Sequence, residues 1–384
     1  MKAKRWFVVG VVTVGIAGLV LAGLWIAGRA RQARRLAEVH VQLGRSLSSE
    51  QPLGALLLGR LGAPPDGPAD PGSDAEILVF NADGMLVTST ADTADASRRL
   101  AGTDVLLTEL SLGRAASAEL VAIDPYVIVA DTRAGTSPTA DGSATLGTMT
   151  TWLESVSATT RTPLAVAADE PSDFAAFVLW LAGELLPSQD YSGMMDTLSE
   201  WSLNENVDAG SESRVAALAG SLEPVVGLLS RWRADGVLAS NWTDWDRIAV
   251  RSALTQAGVA LAFAPRSSIS ELAFDERFHL RTHRLPAGDD RRSYAMLGRA
   301  VGVVAGSGPR SDAAAAVAGM LRSEVVQREI EAVTAWSPVT LEGSPLDREH
   351  RDVVRWYRGA GDYLVVDEAV AGHPVFRRLR TALR

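Results

Sequence analysis

The sequence predicts an α/β fold built on mostly parallel sheets. Two observations predict it. Short apolar runs such as "TPLAVAA" have the length and composition of buried strands. They alternate with longer segments whose apolar residues recur at helical spacing, a pattern typical of sheets covered by helices. With 384 residues, 47% of them hydrophobic and 22% charged, the chain suffices for one large two-lobed domain or two smaller ones.

The N-terminal segment, residues 1–28, is predicted to be a transmembrane anchor. Phe7 to Gly28 carries no charge, and a helix of that length crosses a hydrocarbon core of about 30 Å. No small-residue cleavage site separates it from "RARQARR", so we expect it to stay in the mature protein. Basic residues flank the span almost equally on both sides, and charge alone therefore leaves its orientation open.

Residues 29–74 are predicted to form a juxtamembrane helix and a linker. From Arg29 to Leu61, Arg alternates with Leu and Val at helical spacing. The following "GAPPDGPADPGSD" contains too much Pro and Gly for a helix or a central strand. We therefore expect the folded domain to occupy residues 75–384, with "AEILVF" as its first strand.

The next elements are marked by breaks in the apolar pattern. "AELVAIDPYVIVAD" predicts two strands interrupted at Asp124-Pro125, and the Gly, Ser and Thr residues from Asp131 to Thr151 predict a loop. "TPLAVAA" then predicts a strand that leads into a helix. Ser172 is expected to cap this helix, whose apolar stripe consists of Phe174, Phe177, Val178, Leu181 and Leu185.

The remaining elements are bounded by glycine and by capping residues. Two helices are predicted to end at Gly236 and Gly258, the second directly before the strand "VALAFAP". "YAMLGRAVGVVAGSG" predicts another strand. Ser311 and Ser323 are expected to begin two further helices, and the second helix must stop before Ser337-Pro338.

Composition excludes several functions. A net charge of −9, with the one basic cluster beside the predicted span, argues against a nucleic-acid partner. The absence of cysteine excludes disulfides, thiolate metal sites and cysteine nucleophiles. We find no G-x-S-x-G motif and no spaced set of nucleophile, base and orienting acid, and therefore expect no catalytic residues and no enzyme activity.

Two motifs are weak indications of a metal or a cofactor. His279 and His283 are four residues apart but lack the third ligand that a zinc site needs. "GVVAGSGPRSD" lacks the spacing of a dinucleotide or P-loop motif, so a tight strand-to-helix turn is the preferred interpretation. We expect neither a metal nor a cofactor.

The ten tryptophans are the residues most typical of carbohydrate contact, because flat apolar rings stack on the C–H faces of sugars. We assign Trp152, Trp180 and Trp232 to packing because they lie in predicted helices. The sequence leaves open whether Trp201, Trp242 and Trp245 face a core or a ligand. For Trp336, ligand stacking and packing are equally good interpretations.

The order of several segments resembles the extracellular solute-binding proteins of sugar-type ABC importers. The resemblance runs from about Ala118 to Val366 and includes "ADGVLASNWTDWD", "TQAGVALAFAPRSSISEL" and "HRLPAG". Its most specific part is "LRSEVVQREI" followed by "TAWSPV". The resemblance implies a two-lobed, periplasmic-binding-protein-like α/β fold that closes on a small solute and delivers it to permease subunits.

Two departures from that family concern the N-terminal part. The first lobe has less chain before Ala118 than the family has, and Leu24 stands where the family has its lipid-anchor cysteine. We expect a first lobe of about residues 75–123 and 284–334, and a second of about 124–283 and 335–384. The resemblance also implies that the domain is on the extracytoplasmic side of the cell membrane.

These expectations define a candidate function and site. The function is a membrane-anchored solute-binding component of an ABC importer for a sugar or other polar small molecule; the alternative is a degenerate sensor or interaction protein without transport. Loops at strand ends bind ligands in open α/β sheets. The alternative interpretation is helix-start charge for Asp169 and Glu170 and an ordinary polar loop for Arg266, Ser267 and Ser268. The candidate ligand-binding residues are Asp169 and Glu170 after "TPLAVAA", Arg266, Ser267 and Ser268 after "VALAFAP", and Trp336.

Overall fold

The structure of the protein is a computed structural model. The predicted anchor, Phe7 to Gly28, and the predicted cap Ser311 lie outside the residues that it describes. Within the described part of the chain, no helix is both long and apolar enough to cross a membrane. The described residues are 119–135, 144–203, 211–270, 272–286, 294–305, 314–339 and 362–384, with short pieces at 41–43, 53, 56–57, 60, 79–80, 86–88, 105–110 and 137.

The described part of the chain contains both strands and helices, as the sequence predicts. The strands are β1 (Val41–Leu43), β2 (Val79–Phe80), β3 (Leu86–Thr88), β4 (Val105–Glu109), β5 (Glu119–Asp131), β6 (Thr162–Val166), β7 (Val259–Pro265), β8 (Leu280–His283), β9 (Tyr294–Ala305), β10 (Ser337–Pro338) and β11 (Asp362–Val365). The helices are α1 (Leu146–Val156), α2 (Pro171–Leu185), α3 (Ser188–Leu203), α4 (Ser211–Ser221), α5 (Glu223–Ala234), α6 (Arg247–Thr255), α7 (Arg266–Ser270), α8 (Phe274–Arg277), α9 (Ala314–Leu321), α10 (Glu324–Thr334), α11 (Glu368–Ala371) and α12 (Pro374–Leu383). Strands and helices alternate less regularly than predicted: β1 to β5 precede α1, and α2 to α6 follow one another.

The chain divides into two compact units. The first comprises Met1–Leu107 and Val303–Met320, and the second comprises Thr108–Gly302 and Leu321–Arg384. In the first unit, β1 pairs in parallel with β4, and β2 pairs with β3 in antiparallel fashion. The lobe boundaries expected from the sequence stay a prediction.

The sheet of the second unit is mixed, whereas the sequence predicts mostly parallel pairing. Its strand order is β9-β5-β7-β6. β6 and β7 are parallel, but β5 runs antiparallel to β7, β8 and β10. Strand direction depends on how the chain returns to the sheet, which an apolar run does not encode.

β5 is one strand of 13 residues and is not broken at Asp124-Pro125 as the sequence predicts. The strand changes partners at this point. Ala122 and Ile123 pair with β10, whereas the residues from Tyr126 onward pair with β7. Pro125 lies between these two ladders, so its missing N–H removes no hydrogen bond from either of them.

Two predicted helix starts are corrected. α2 begins at Pro171, with Glu170 rather than Ser172 as its N-cap residue, because the fixed φ of proline suits the first helical position. α1 begins at Leu146, inside the segment predicted to be a loop, because Thr145 and Thr148 form a reciprocal capping box. Short polar residues favour caps as well as loops, and their composition alone does not separate the two.

Other predicted boundaries are confirmed. α5 ends just before Gly236, which has a φ of 71°, a left-handed conformation that glycine adopts without steric cost. β7 has the predicted bounds. Ser323 is the N-cap residue of α10, and that helix ends at Thr334, with Ala335 as its C-cap residue at a φ of 58°.

α2 forms the centre of an aromatic core. Its residues from Asp173 to Ala182 are all buried, a wider surface than the single predicted stripe. Phe177 lies within 7 Å, centroid to centroid, of several other rings. These rings belong to Trp180, Trp232, Trp242 and Phe263. Trp180 and Trp232 are therefore core residues, as predicted, and so is Trp242, which the sequence left open.

Candidate functional site

The carboxyl ends of β6 and β7 lie at one edge of the sheet. The two strands are adjacent and parallel, so the loops that follow them leave the sheet together. Because β5 is antiparallel to β7, with Tyr126 opposite Pro265, Asp124 also lies at this edge. Open α/β sheets place their binding crevices at such edges. We call Asp124, Tyr126, Asp173, Arg247 and Ser267 the polar cluster.

Asp124 is a buried carboxylate held by one residue. Its Oδ1 accepts the backbone N–H of Ser267 at 2.9 Å, and its Oδ2 accepts the Ser267 hydroxyl at 2.5 Å. Burial raises the pKa of Asp124 to about 6, although the two hydrogen bonds from Ser267 oppose this shift. The carboxylate thus fixes the start of α7 to the middle of β5.

Asp173 accepts hydrogen bonds from three donors. The Tyr126 hydroxyl donates to its Oδ1 at 2.7 Å. The Nη2 and Nε atoms of Arg247 donate to Oδ1 and Oδ2, each at 2.8 Å. Such a forked arrangement is the strongest hydrogen-bond geometry that a guanidinium offers to a carboxylate. It joins the first turns of α2 and α6 to β5.

Electrostatic effects in the cluster follow from this geometry. Burial raises the pKa of Tyr126 well above its ordinary value, and the nearby Asp173 carboxylate raises it further. The hydrogen bonds from Arg247 to Asp173 raise the pKa of Arg247. At neutral pH, therefore, Tyr126 is an uncharged donor and Arg247 a cation. Neither group is a proton shuttle at that pH.

The three predicted residues after β7 point to different partners. Ser267 belongs to the polar cluster. Arg266 donates to the carbonyl oxygen of Ala335 at 3.2 Å, and its Nη2 lies 3.4 Å from Glu331. The Ser268 hydroxyl donates to the carbonyl oxygen of Pro265 at 2.8 Å and is buried. The structure therefore brings only Ser267 of the three into the polar cluster.

The two predicted residues after β6 lie in the segment Ala167–Glu170, which we call the β6 loop. The Asp169 N–H donates to the carbonyl oxygen of Trp245 at 2.9 Å. The Asp169 carboxylate lies 3.3 Å from Nη1 of Arg380. Glu170 is the N-cap residue of α2 but makes no side-chain capping bond. Its carboxylate forms no hydrogen bond in the described part of the chain.

Trp336 is packed rather than open in this structure. Its side chain is 4% exposed, and the guanidinium carbon of Arg299 lies 4.8 Å from the centroid of its ring. This cation–π contact covers a ring face. A solute that stacked on that face would have to displace Arg299.

The polar cluster contains four residues that sequence reasoning missed: Asp124, Tyr126, Asp173 and Arg247. Asp124 had a usable signal, since a carboxylate before proline inside a buried apolar run needs a partner. Asp173 had a weaker one, because it lies in the first turn of a predicted helix. Arg247 lies at the start of a polar helix, and no local sequence pattern distinguishes it from other arginines in that position.

The described residues offer hydrogen-bonding groups rather than a metal centre. No three His, Asp or Glu side chains converge in the described ranges in a way that would hold a metal ion. His283 lies on β8, where burial lowers its pKa. Chemically, the edge of the sheet can donate and accept hydrogen bonds through Glu170, Arg247 and the backbone.

Comparisons with known proteins identify the fold. No model of a known protein family and no curated protein matches the sequence. Among solved structures, the bacterial solute receptor AcbH, whose title reports a preference for β-D-galactopyranose, matches with a TM-score of 0.52 and 10% identity over 78% of this chain and 88% of that one. The putative binding protein msme of Bacillus subtilis, in an open conformation, matches with a TM-score of 0.51 and 10% identity over 78% and 83%. The chain therefore has the periplasmic-binding-protein-like α/β fold of solute-binding proteins, and the resemblance that the sequence indicated is confirmed at the level of fold.

Proposed function

We propose that this chain is the membrane-anchored, extracytoplasmic solute-binding component of an ABC importer for a sugar or another polar small molecule. The observation that carries the proposal is the fold, which is similar to that of a galactopyranose receptor over 78% of the chain. The uncharged run from Phe7 to Gly28 supports the anchor. Its partners would be the solute, the permease subunits and the membrane.

The edge of the sheet supports a polar ligand. Glu170 has a carboxylate without a hydrogen-bonded partner among the described residues, at the N-cap of α2. Sugar hydroxyls donate to such carboxylates, and bonds to charged groups are the stronger ones. The other proposed contacts remain Asp169, Arg266, Ser267, Ser268 and Trp336.

A ligand-free role has one observation in its favour. The carboxylates of Asp124 and Asp173, and one face of the Trp336 ring, are engaged within the chain itself. A degenerate domain that acts as a sensor or interaction protein would keep such internal contacts and bind no solute. This is the second candidate function.

Thermal unfolding of the full chain in detergent micelles distinguishes the two candidates. A sugar that binds the native state raises its stability by about 2.7 kcal/mol at 100 times the dissociation constant. We expect D-galactopyranose, maltose or another sugar of a broad panel to raise Tm, and Glu170→Gln to reduce that rise. If neither sugars nor amino acids shift Tm, the ligand-free role is favoured.

The anchor is tested separately by protease treatment of intact spheroplasts. Because we propose that the domain is extracytoplasmic, added protease should digest it while cytoplasmic proteins stay intact. Full protection of the domain, or a mature N-terminus after Gly28, would contradict the proposed topology.

A further inference from the structure

The C-terminal helix α12 reaches the β6 loop from a distance of about 210 residues along the chain. α12 packs on α2, α4 and α5 through a buried apolar face. From its flank, Nη1 of Arg380 donates to the carbonyl oxygen of Asp169 at 2.7 Å and to that of Ala168 at 3.3 Å. The same nitrogen lies 3.3 Å from the Asp169 carboxylate. One guanidinium group thus contacts two consecutive peptide groups of the β6 loop.

The β6 loop is held from a second side by the segment before α6. The Asp169 N–H donates to the carbonyl oxygen of Trp245. Within the loop itself, the N–H groups of Ala168 and Glu170 donate to Val166 and Ala167, at 2.9 and 3.1 Å. Ala168 is fully buried, and its carbonyl oxygen lies beyond the end of β6. Arg380 supplies the donor that this buried carbonyl needs.

From this geometry we infer that Arg380 is a positioning residue, which holds the β6 loop in the shape that presents Glu170 to the solute; the inference rests on the proposed solute-binding function. The two carbonyl groups that Arg380 binds belong to the residues directly before Glu170. Because charge-assisted hydrogen bonds fix both peptide planes, the position of the Glu170 carboxylate depends on α12. The C-terminal helix would therefore affect solute affinity without touching the solute.

Hydrogen exchange of the full chain in detergent micelles tests the loop without any ligand. In Arg380→Met, the loop can open without breaking the hydrogen bonds to Arg380, so opening costs less free energy. We therefore expect the amides of Asp169 and Glu170 to exchange about tenfold faster than in the wild type. Arg380→Lys should be intermediate, because Lys keeps a charged donor, but its ammonium group is a more strongly hydrated point charge than a guanidinium. Arg377→Met is the matched control, since Arg377 is exposed on the same helix. In this variant the amides of Asp169 and Glu170 should exchange as in the wild type.

Titration with D-galactopyranose and maltose tests the consequence for binding. For whichever of the two sugars binds the wild type, Arg380→Met should raise Kd about tenfold, the effect of losing a charge-assisted bond, and Arg377→Met should not.

Hydrogen exchange in β7 is the control for general destabilisation. The amides of β7 should exchange equally in all variants. Faster exchange there would show general destabilisation and would contradict a local role for Arg380.

The remaining outcomes separate the inference from the proposed function. Unchanged exchange at Asp169 and Glu170 in Arg380→Met overturns the inference, whether or not a sugar binds. Faster exchange in the loop with unchanged Kd overturns the link from the loop to the solute. If neither the sugars nor the amino acids of the panel bind the wild type, the proposed function fails, and with it the role in presenting Glu170, while exchange still decides whether Arg380 holds the loop.

Discussion

Arg247 and Asp173 form a forked ion pair in which the carboxylate is fully buried and the guanidinium side chain is 42% exposed. The Tyr126 hydroxyl completes the hydrogen bonding of the carboxylate. A buried carboxylate is tolerated only when such donors offset the cost of removing it from water. The pair therefore fixes the first turn of α2, whose N-cap residue is the proposed ligand residue Glu170.

The first prediction concerns this pair. Arg247→Met should lower the free energy of unfolding by about 3 kcal/mol, because it leaves the Asp173 carboxylate buried without a cation. Urea unfolding of the full chain in detergent micelles measures the change. Glu200→Gln is the control, since Glu200 lies 4.0 Å from Arg214 in an exposed pair, and it should change stability by less than about 0.5 kcal/mol. Equal effects of the two variants would contradict the prediction.

A second prediction concerns the close approach of β9 to Tyr126. A Cβ atom at Gly298 would lie 3.1 Å from the nearest atom of the Tyr126 ring. That ring is fully buried and stacked on Phe263, with 5.0 Å between centroids. Gly298→Ala should therefore destabilise the protein by about 1–3 kcal/mol through overpacking.

Gly227 provides the matched control for this substitution. It lies in α5, and a Cβ atom there would meet nothing within 4 Å. Gly227→Ala should stabilise the protein by about 0.5–1 kcal/mol, because alanine is the better helix former. Thermal unfolding of both variants would show opposite signs, and a stabilising Gly298→Ala would refute the close packing of Tyr126.

A third prediction concerns His373, which is buried at the N-cap of α12. Its Nδ1 accepts the N–H of Val375 at 3.2 Å, and its ring meets Trp201 edge-on at 4.5 Å. Burial lowers the pKa of His373 to about 4, whereas an unfolded chain has about 6.5. The contribution of His373 to the free energy of unfolding is therefore fully present above pH 6.5. It is lost as the pH falls to about 4, which lowers the free energy of unfolding by about 3 kcal/mol.

Asp124 is predicted to have the opposite pH dependence. Its pKa is raised to about 6 in the folded protein from about 3.9 in an unfolded chain. Its contribution is therefore fully present below pH 3.9 and is lost as the pH rises through about 6, again by about 3 kcal/mol. Between pH 4 and 6 the contributions of Asp124 and His373 offset each other.

The two single variants separate these contributions. In Asp124→Asn, the contribution of Asp124 is removed and that of His373 remains, so stability should fall by about 3 kcal/mol relative to the wild type from pH 6.5 to 4. In His373→Asn, which keeps a good N-cap residue, stability should rise over the same range. Urea unfolding at closely spaced pH values measures both slopes. Parallel curves for the wild type and both variants would contradict the burial of these groups.

Helix and strand positions were largely predictable because they depend on local patterns. The strand "VALAFAP", the helix end before Gly236 and the start of α10 after Ser323 follow from apolar runs, from glycine and from capping residues. The predictions of Ser172 as a helix cap and of a loop up to Thr151 were wrong, and the reasons were also local. The preference of proline for the first helical position and a Thr–Thr capping box were the competing signals that decided these two helix starts.

The candidate site was less predictable, because its residues meet only after the strands pair. The sequence led to Asp169, Glu170 and Ser267 because they follow buried strands. It did not lead to Arg247, whose partner lies 74 residues away, or to Arg380, whose partner lies 211 residues away. The sequence does not distinguish an arginine whose guanidinium group is solvated from one whose guanidinium group binds a buried carbonyl oxygen.

By itself, the sequence determined the α/β class, most element positions and the resemblance to solute-binding proteins, because apolar periodicity, glycine and capping residues act within a few residues of one another. Only the tertiary structure decided that β5 runs unbroken through Pro125 between two partners, that Arg299 covers Trp336, and that Asp124 and Asp173 are held by Ser267 and Arg247. These outcomes depend on which distant groups burial brings within hydrogen-bonding distance, and no local pattern specifies that.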